Sequence, residues 1–458
     1  MNRSRRASLL GAVVAFALVG SLAVAPASAR TLDDGESDSG LTAAASGAVT
    51  GRVLFEPTGG GVPIAADRGY VRFFLSATCC ETAAAVASLT PSGTFAIASM
   101  PAGSYFVEFV SLDSRALPVR EWFNDQRSIW NADQITIVDG APFPFGDIVV
   151  EERDLSTYRL AGENRFDTAR VVSELFAIDG ADRDIVIVNG LDFPDALSAG
   201  PIATRLGGPL LMVTRDAIPI ETIEELNRLD PLSITIVGGT GVVSSAVEAQ
   251  LATFVGGPGN VTRLAGDDRF ATSREVLEAV ATGFLTEIFI ATGLNYPDAL
   301  AAVPAAGNVG GAVMLVNGAA STLDAASLQL IDQYGVPVTI VGGTGVVSAG
   351  IESQLQGLGV TVSRIAGTDR YRTAIQIAVE YFPLADLSYV ASGFGFADAL
   401  AIGPFAGQQG APLYLSSPNC MPPAVRQDII DGLINFTTLI GGTGVLSPAV
   451  ASFTPCAA

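Results

Sequence analysis

Two hydrophobic patterns alternate along residues 160–255. Short apolar runs at 185–188, 210–213 and 234–237 are nearly unbroken and rich in β-branched residues. They read as strands of a parallel sheet buried on both faces. Apolar positions recur with helical spacing at 167–177, 196–206, 220–229 and 245–254. Such alternation predicts βαβ crossovers and a three-layer α/β unit. Ser244 reads as a helix N-cap, Ser245 with Glu248 has capping-box spacing, and Pro448 after Ser447 suits a first helical position. Residues 46–150 obey a different rule. GAVTGRVLF, YVRFFLS, GTFAIAS, GSYFVEFV and QITIVDG alternate apolar and polar positions between Gly/Pro turns, which predicts an all-β sandwich. Residues 151–155 read as the linker between the β and α/β parts.

The α/β pattern is written three times. RLAGENRFDTA at 159–169 returns as RLAGDDRFATS at 263–273 and RIAGTDRYRTA at 364–374. NGLDFPDALSAGP, TGLNYPDALAAVP and SGFGFADALAIGP come next in phase, and IVGGTGVVS, IVGGTGVVS and IGGTGVLS close each copy. A period of about 100 residues is too long for a solenoid unit and suits one small domain per copy. The connections at 255–260 and 357–359 are short, leaving little room for independent tumbling.

These three landmarks, in one order and three copies, resemble the cell wall binding repeat 2 family of Gram-positive surface proteins. The resemblance implies three α/β modules, at 156–256, 260–357 and 361–458, in a pseudo-threefold arrangement. It also implies a protein held non-covalently on a secondary wall polymer, an anionic glycan or a teichoic-acid-like chain. Within 46–150, the hairpins of PSGTFAIASMPAGSYFVEFV resemble carboxypeptidase-regulatory-like or Cna-B-type domains. The expected fold is therefore multi-domain, an all-β sandwich followed by three parallel-sheet α/β modules.

Composition narrows the chemistry. The 458 residues contain no His, and all 25 cations are arginine. That excludes Ser-His-Asp and Cys-His nucleophile pairs, imidazole metal sites and lysine Schiff bases. No metal site and no cofactor are expected. Lysine-free, Ala- and Gly-rich composition suits a high-GC actinobacterial source. Residues 1–29 read as a signal peptide, with Arg3, Arg5 and Arg6 before an apolar run and an Ala27-Ser28-Ala29 cleavage site. Residues 30–45 read as an acidic, flexible leader. Removing the signal takes three arginines and no acid, moving the formal charge from −21 to −24. That charge argues against nucleic acid as a partner, and no other segment is long and apolar enough to predict a membrane span. Four cysteines in an exported chain pose a disulfide question. Cys420–Cys456 is the favoured pair, with Cys79 and Cys80 vicinal, free or intermolecular.

Asp195, Asp298 and Asp398 recur just after a strand, where they would ligate a metal or a sugar or else cap the next helix. Arg165, Arg269 and Arg370 would hold a polymer phosphate or carboxylate, or else make ion pairs between modules. Arg159, Arg263 and Arg364 carry the same two readings. The GGTG loops at 238–241, 342–345 and 441–444 suit tight turns or a polymer phosphate. Glu108, Asp113, Glu121 and Asp125 lack a partner base, and Glu121-Trp122-Phe123 offers an aromatic platform or a core tryptophan. No catalytic residue is identified. The expected protein is secreted, non-catalytic and wall-associated. Its alternatives are a wall-turnover amidase or glycosidase and a freely secreted carbohydrate-binding matrix protein.

Overall fold

A computed structural model describes residues 46–56, 62–75, 83–113, 117–124, 126, 132–151, 155, 157–176 and 184–457. The stretches read as signal peptide (1–29) and leader (30–45), Cys79, Cys80, Asp125 and residues 152–154 lie outside the described residues.

The N-terminal region is all β. Its strands are β1 (Ser46–Glu56), β2 (Ile64–Ala65), β3 (Gly69–Phe74), β4 (Ala85–Ser88) and β5 (Thr94–Pro101). Then come β6 (Gly103–Ser111), β7 (Val119–Trp122), β8 (Gln134–Ile137) and β9 (Phe143–Glu151). One sheet runs β2-β1-β5 with β9 parallel to β1; the other runs β4-β3-β6-β7 with β8 on β6. Alternate residues point inward, so Val49, Val53, Val71, Phe73, Phe95 and Phe109 share one core. Phe145 meets five other rings at centroid distances of 5.0 to 6.2 Å.

The first repeat contributes β10 (Thr157–Leu160), α1 (Arg165–Ser173), β11 (Asp184–Asn189) and α2 (Pro194–Leu206). It continues with β12 (Leu210–Val213), α3 (Ile220–Leu229), β13 (Ser233–Val237) and α4 (Ser245–Leu251). The second contributes β14 (Val261–Leu264), α5 (Arg269–Ala281), β15 (Ile288–Thr292) and α6 (Pro297–Val309). After these come β16 (Ala312–Val316), α7 (Ala325–Tyr334), β17 (Val338–Val341) and α8 (Ala349–Gly357). In the third these become β18 (Val362–Ile365), α9 (Arg370–Tyr381), β19 (Leu387–Ser392) and α10 (Ala397–Gln408). The chain ends through β20 (Leu413–Ser416), α11 (Pro423–Asp431), β21 (Phe436–Ile440) and α12 (Pro448–Ala451).

The sheets do not coincide with the repeats. Their orders are β12-β11-β13-β14, β16-β15-β17-β18 and β20-β19-β21-β10, all parallel. Each repeat thus lends its first strand to the sheet of the one before, and the first repeat lends β10 to the third. The boundaries 156–256, 260–357 and 361–458 mark sequence periodicity; the folded sheets are offset from them by one strand. The capping-box reading is also corrected. Ser244 caps α4 by accepting from the Val247 amide at 3.4 Å, but Glu248 pairs with Arg263 at 2.9 Å instead.

Three helices, α2, α6 and α10, pack on one another at the centre. Their equivalent positions Gly200, Val303 and Gly403 meet there, and only one has a side chain. A Cβ on Gly200 would lie 2.1 Å from Val303 Cγ1, and one on Gly403 would lie 2.7 Å from it. One turn on, the same rule holds with Thr204 as the filler. A Cβ on Gly307 would meet Thr204 Oγ1 at 2.6 Å, and that hydroxyl donates to the Pro404 carbonyl at 3.1 Å. Before the helices, Phe193, Tyr296 and Phe396 close into a triad with ring centroids 5.4, 5.8 and 6.0 Å apart. In the third repeat Cys420 is bonded to Cys456, their Cα atoms 4.9 Å apart. A bond of this span stabilises by about 3–4 kcal/mol on the chain-entropy account.

The single-filler rule has a direct test. Gly200→Val should destabilise the chain by about 1–3 kcal/mol through overpacking. Adding Val303→Gly to it should restore most of the loss in urea denaturation. If the swapped double variant is no better than Gly200→Val, the layer does not work this way.

Candidate functional site

The six candidate residues come together as three equivalent couples, each spanning two repeats. Asp195 of the first repeat faces Arg269 and Thr272 of the second. Asp298 of the second faces Thr373 and Arg370 of the third. Asp398 of the third faces Thr168 and Arg165 of the first. The cycle closes.

Local sequence builds each seam. In RLAGxDR the glycine permits a tight turn, because a Cβ on Gly162, Gly266 or Gly367 would strike the helix beyond it at 2.3–2.4 Å. The next-but-one residue, Asn164, Asp268 or Asp369, caps the helix by accepting from its first free amides. That places the arginine at the first helical position and the threonine one turn in. The threonine hydroxyl accepts from the glycine amide at 3.1–3.2 Å and lies beside the neighbour's aspartate; that of Thr373 donates to the Asp369 carbonyl at 3.2 Å. The arginine donates to a carbonyl of its own repeat: Gly190 at 2.7 Å, Gly293 at 2.8 Å, and Gly393. Arg165 also lies 5.7 Å from the Phe396 ring centre, and Arg370 lies 5.4 Å from that of Phe394.

The aspartates are not N-caps. Phe193, Tyr296 and Phe396 hold the cap positions without a side-chain cap bond, and each aspartate sits in the first turn. Its carboxylate lies against the first glycine of the GGTG loop, where a Cβ would fall 2.5–3.0 Å from Oδ2 and φ is 108° to 123°. Glycine is needed there on both counts. Burial pushes all three carboxyls up from the ordinary range, Asp398 to about 6, against the pull of the facing arginine and threonine. For Asp195, the nearby Asp192 charge adds to the rise.

Arg159, Arg263 and Arg364 hold the same loops from below. They donate to the carbonyls of Gly441 and Gly238 at 2.5 Å and of Gly342 at 2.7 Å. Arg263 and Arg364 also pair with Glu248 and Glu352 at 2.9 Å. Arg159 has Ala451 at the matching position and turns to the Leu446 carbonyl at 2.9 Å. In the N-terminal region, Glu108, Asp113 and Glu121 are buried, and Trp122 packs on Phe74 at 5.6 Å, so the core reading of this tryptophan holds.

Between the first two repeats lies an open cleft of about 360 Å³, lined by Asp192, Asp195, Asp267, Asp268, Arg269 and Thr272 among others. Reasoning from sequence missed the role of Thr168, Thr272 and Thr373. The signal was present, since each occupies the same place in all three copies of one motif.

The family model for cell wall binding domain 2 matches residues 159–248, 263–352 and 364–451. N-acetylmuramoyl-L-alanine amidase LytC of Bacillus subtilis is 29% identical over 300 residues, 65% of this chain and 58% of that protein. The amidase enhancer of the same organism is 27% identical over 296 residues, 64% of this chain and 39% of that protein. The chain thus spans less than two thirds of these relatives. Among solved structures, Cwp8 from Clostridium difficile aligns with a TM-score of 0.59 and 24% identity, over 76% of this chain and 58% of that one. Cwp6 from the same organism aligns with a TM-score of 0.59 and 21% identity, over 85% and 64%. These likenesses concern the fold.

The seam carboxyls make stability depend on pH. A carboxyl raised in the folded state stabilises most below its unfolded pKa, near 3.8, and loses that contribution as pH rises through about 6. The stability of Asp398→Asn relative to the parent should therefore rise between pH 4 and pH 7, read as urea midpoints. A pH-independent difference would contradict this. Arg165→Ala leaves the same carboxylate without its facing cation. It should cost more above pH 6 than below, about 1–3 kcal/mol, and Asp398→Asn should recover part of the loss in a double-mutant cycle.

Proposed function

The chain belongs to the cell wall binding domain 2 family, and on that premise we propose a secreted, non-catalytic wall protein held non-covalently on an anionic wall polymer. The observation that carries the proposal is the family match in all three repeats, together with their closure into one cyclic body. Three equivalent seams on one surface give a strand of polymer several weak contacts at once, which add as avidity. Each seam arginine spends one nitrogen on a glycine carbonyl, and in this reading the rest of the guanidinium faces an acidic group of the polymer. In this reading residues 46–150 are a carboxypeptidase-regulatory-like sandwich serving as spacer or adhesion domain.

The non-catalytic part rests on residue chemistry. No His or Lys is present, and the buried carboxylates Glu108 and Glu121 of the N-terminal region are spent internally. Glu108 lies between Arg72 and Arg120, and Glu121 accepts from the Glu151 amide at 3.0 Å. The likeness to the amidase and the amidase enhancer falls on the repeats.

The full chain without residues 1–29 should sediment with isolated wall sacculi and be released by denaturant or high salt. Binding should disappear once secondary polymers have been extracted with acid. Retention that survives denaturant, or binding that survives extraction, would count against the proposal. Adding a chelator in parallel shows whether divalent cations bridge carboxylates to the polymer.

A further inference from the structure

The third repeat departs from the other two beside the N-terminal β region. The connection from the third helix to the next strand has three residues in the first repeat, after Leu229, and three in the second, after Tyr334. It has four in the third, residues 432–435 between Asp431 and Phe436. Three residues before the strand, Leu433 adopts a left-handed φ of 59°, as Asp230 does at the same place in the first repeat with φ 46°; but Asp230 is exposed, whereas Leu433 is buried to 3% exposure.

Arg120 is the residue that meets this connection. Only 3% of its side chain is exposed, and its Nε lies 2.8 Å from Glu108, which is fully buried. Nη1 has no hydrogen-bond partner among the described residues, a cost a fold does not carry without cause. Nη2 reaches across to the carbonyl of Gly432 at 3.5 Å, and the Asn435 amide nitrogen returns to the Arg120 carbonyl at 3.5 Å. Gly432 is the C-cap of α11, so a buried cation faces the negative end of a helix dipole. The exit from the β region is tied to the same repeat. Leu155 packs on the third repeat's outer core, and two residues later the chain enters that repeat's sheet as β10.

We propose that Arg120 latches the β region onto the carboxyl end of α11, so that residues 46–457 work as one rigid body rather than a domain on a tether. The buried Leu433 and Asn435, which reaches the Arg120 carbonyl, belong to the receiving half of the latch. Whatever the β region binds is then held at a fixed distance and angle from the repeats.

The test uses the full chain without residues 1–29 and two independent variants. On the β side, Arg120→Met removes the latch cation while Glu108 keeps its ion pair with Arg72. On the repeat side, Leu433→Asp with Asn435→Leu installs the residues that the first repeat carries at the matching positions, Asp230 and Leu232, and leaves the β region untouched. The readouts are tryptic cleavage after Arg153 and the number of calorimetric transitions. The parent should resist cleavage and melt with the two parts coupled. Either variant should be cut at least ten-fold faster and melt in two separated steps. Should the β-side variant lose its fold, the repeat-side variant decides alone. A parent already cut at the rate of an unstructured peptide would overturn the latch, as would a repeat-side variant that behaves like the parent.

Discussion

No repeat in this chain owns a complete sheet, and the rest of the structure depends on that. β13, β17 and β21 would each present a row of unpaired backbone groups, an aggregation hazard in a parallel sheet. The next repeat supplies the missing edge as β14 and β18, and β10 closes the circle from nearly 300 residues upstream, Thr157 pairing with Thr437. Once edges are exchanged, the linkers cannot act as hinges, and the three central helices are forced together. Small residues at their contact are then a necessity. The Cys420–Cys456 bond and the bridge between Met421 and Pro455 fasten the end of the third repeat back onto the start of α11.

Exchange of edges also decides the fate of the natural ligand position. In an open α/β sheet, the crevice at the topological switch point lies beyond the carboxyl ends of the strands and receives the ligand. Here the switch lies between β11 and β13 and their counterparts, where the aspartate and the GGTG loop sit. The RLAGxDR turn of the adjoining repeat fills it. Its threonine lies beside the aspartate, its arginine supplies the counter-charge, and the loop glycine makes room. A ligand crevice has become a joint. That is why Asp, Arg and Gly at these positions look, in sequence, like the parts of a binding site.

Periodicity exposed most of the fold. The apolar runs at 185–188, 210–213 and 234–237 lie within β11, β12 and β13, and the helical stretches overlap α1 to α4. This worked because a strand buried on both faces has an unmistakable composition. The offset of sheets from repeats was not legible, since β10, β14 and β18 are half-buried edges whose pattern names no partner. The same limit applied to the aspartates. Position after a strand suggested a cap, but the helices start at Pro194, Pro297 and Ala397, so each carboxylate sits at the second helical position, two residues past the cap, toward a neighbour that sequence cannot place. Glu248 was misread for a related reason, because its partner Arg263 belongs to the next repeat.

Packing preserves the threefold pattern, and charge breaks it. At the seam between the first and second repeats, the exposed motif positions carry Asp192, Asp267 and Asp268. The corresponding positions at the second seam are Asn295, Thr368 and Asp369, and at the third Gly395, Glu163 and Asn164. One seam therefore bears three exposed acids and each of the others bears one. Over a screening length of about 8 Å at physiological salt, such local differences outweigh the overall charge of the chain. Under the proposed reading, an acidic polymer is repelled most strongly where Asp192 stands. It would lie across the second and third seams, where Arg370 and the exposed Arg165 face the fewest competing carboxylates.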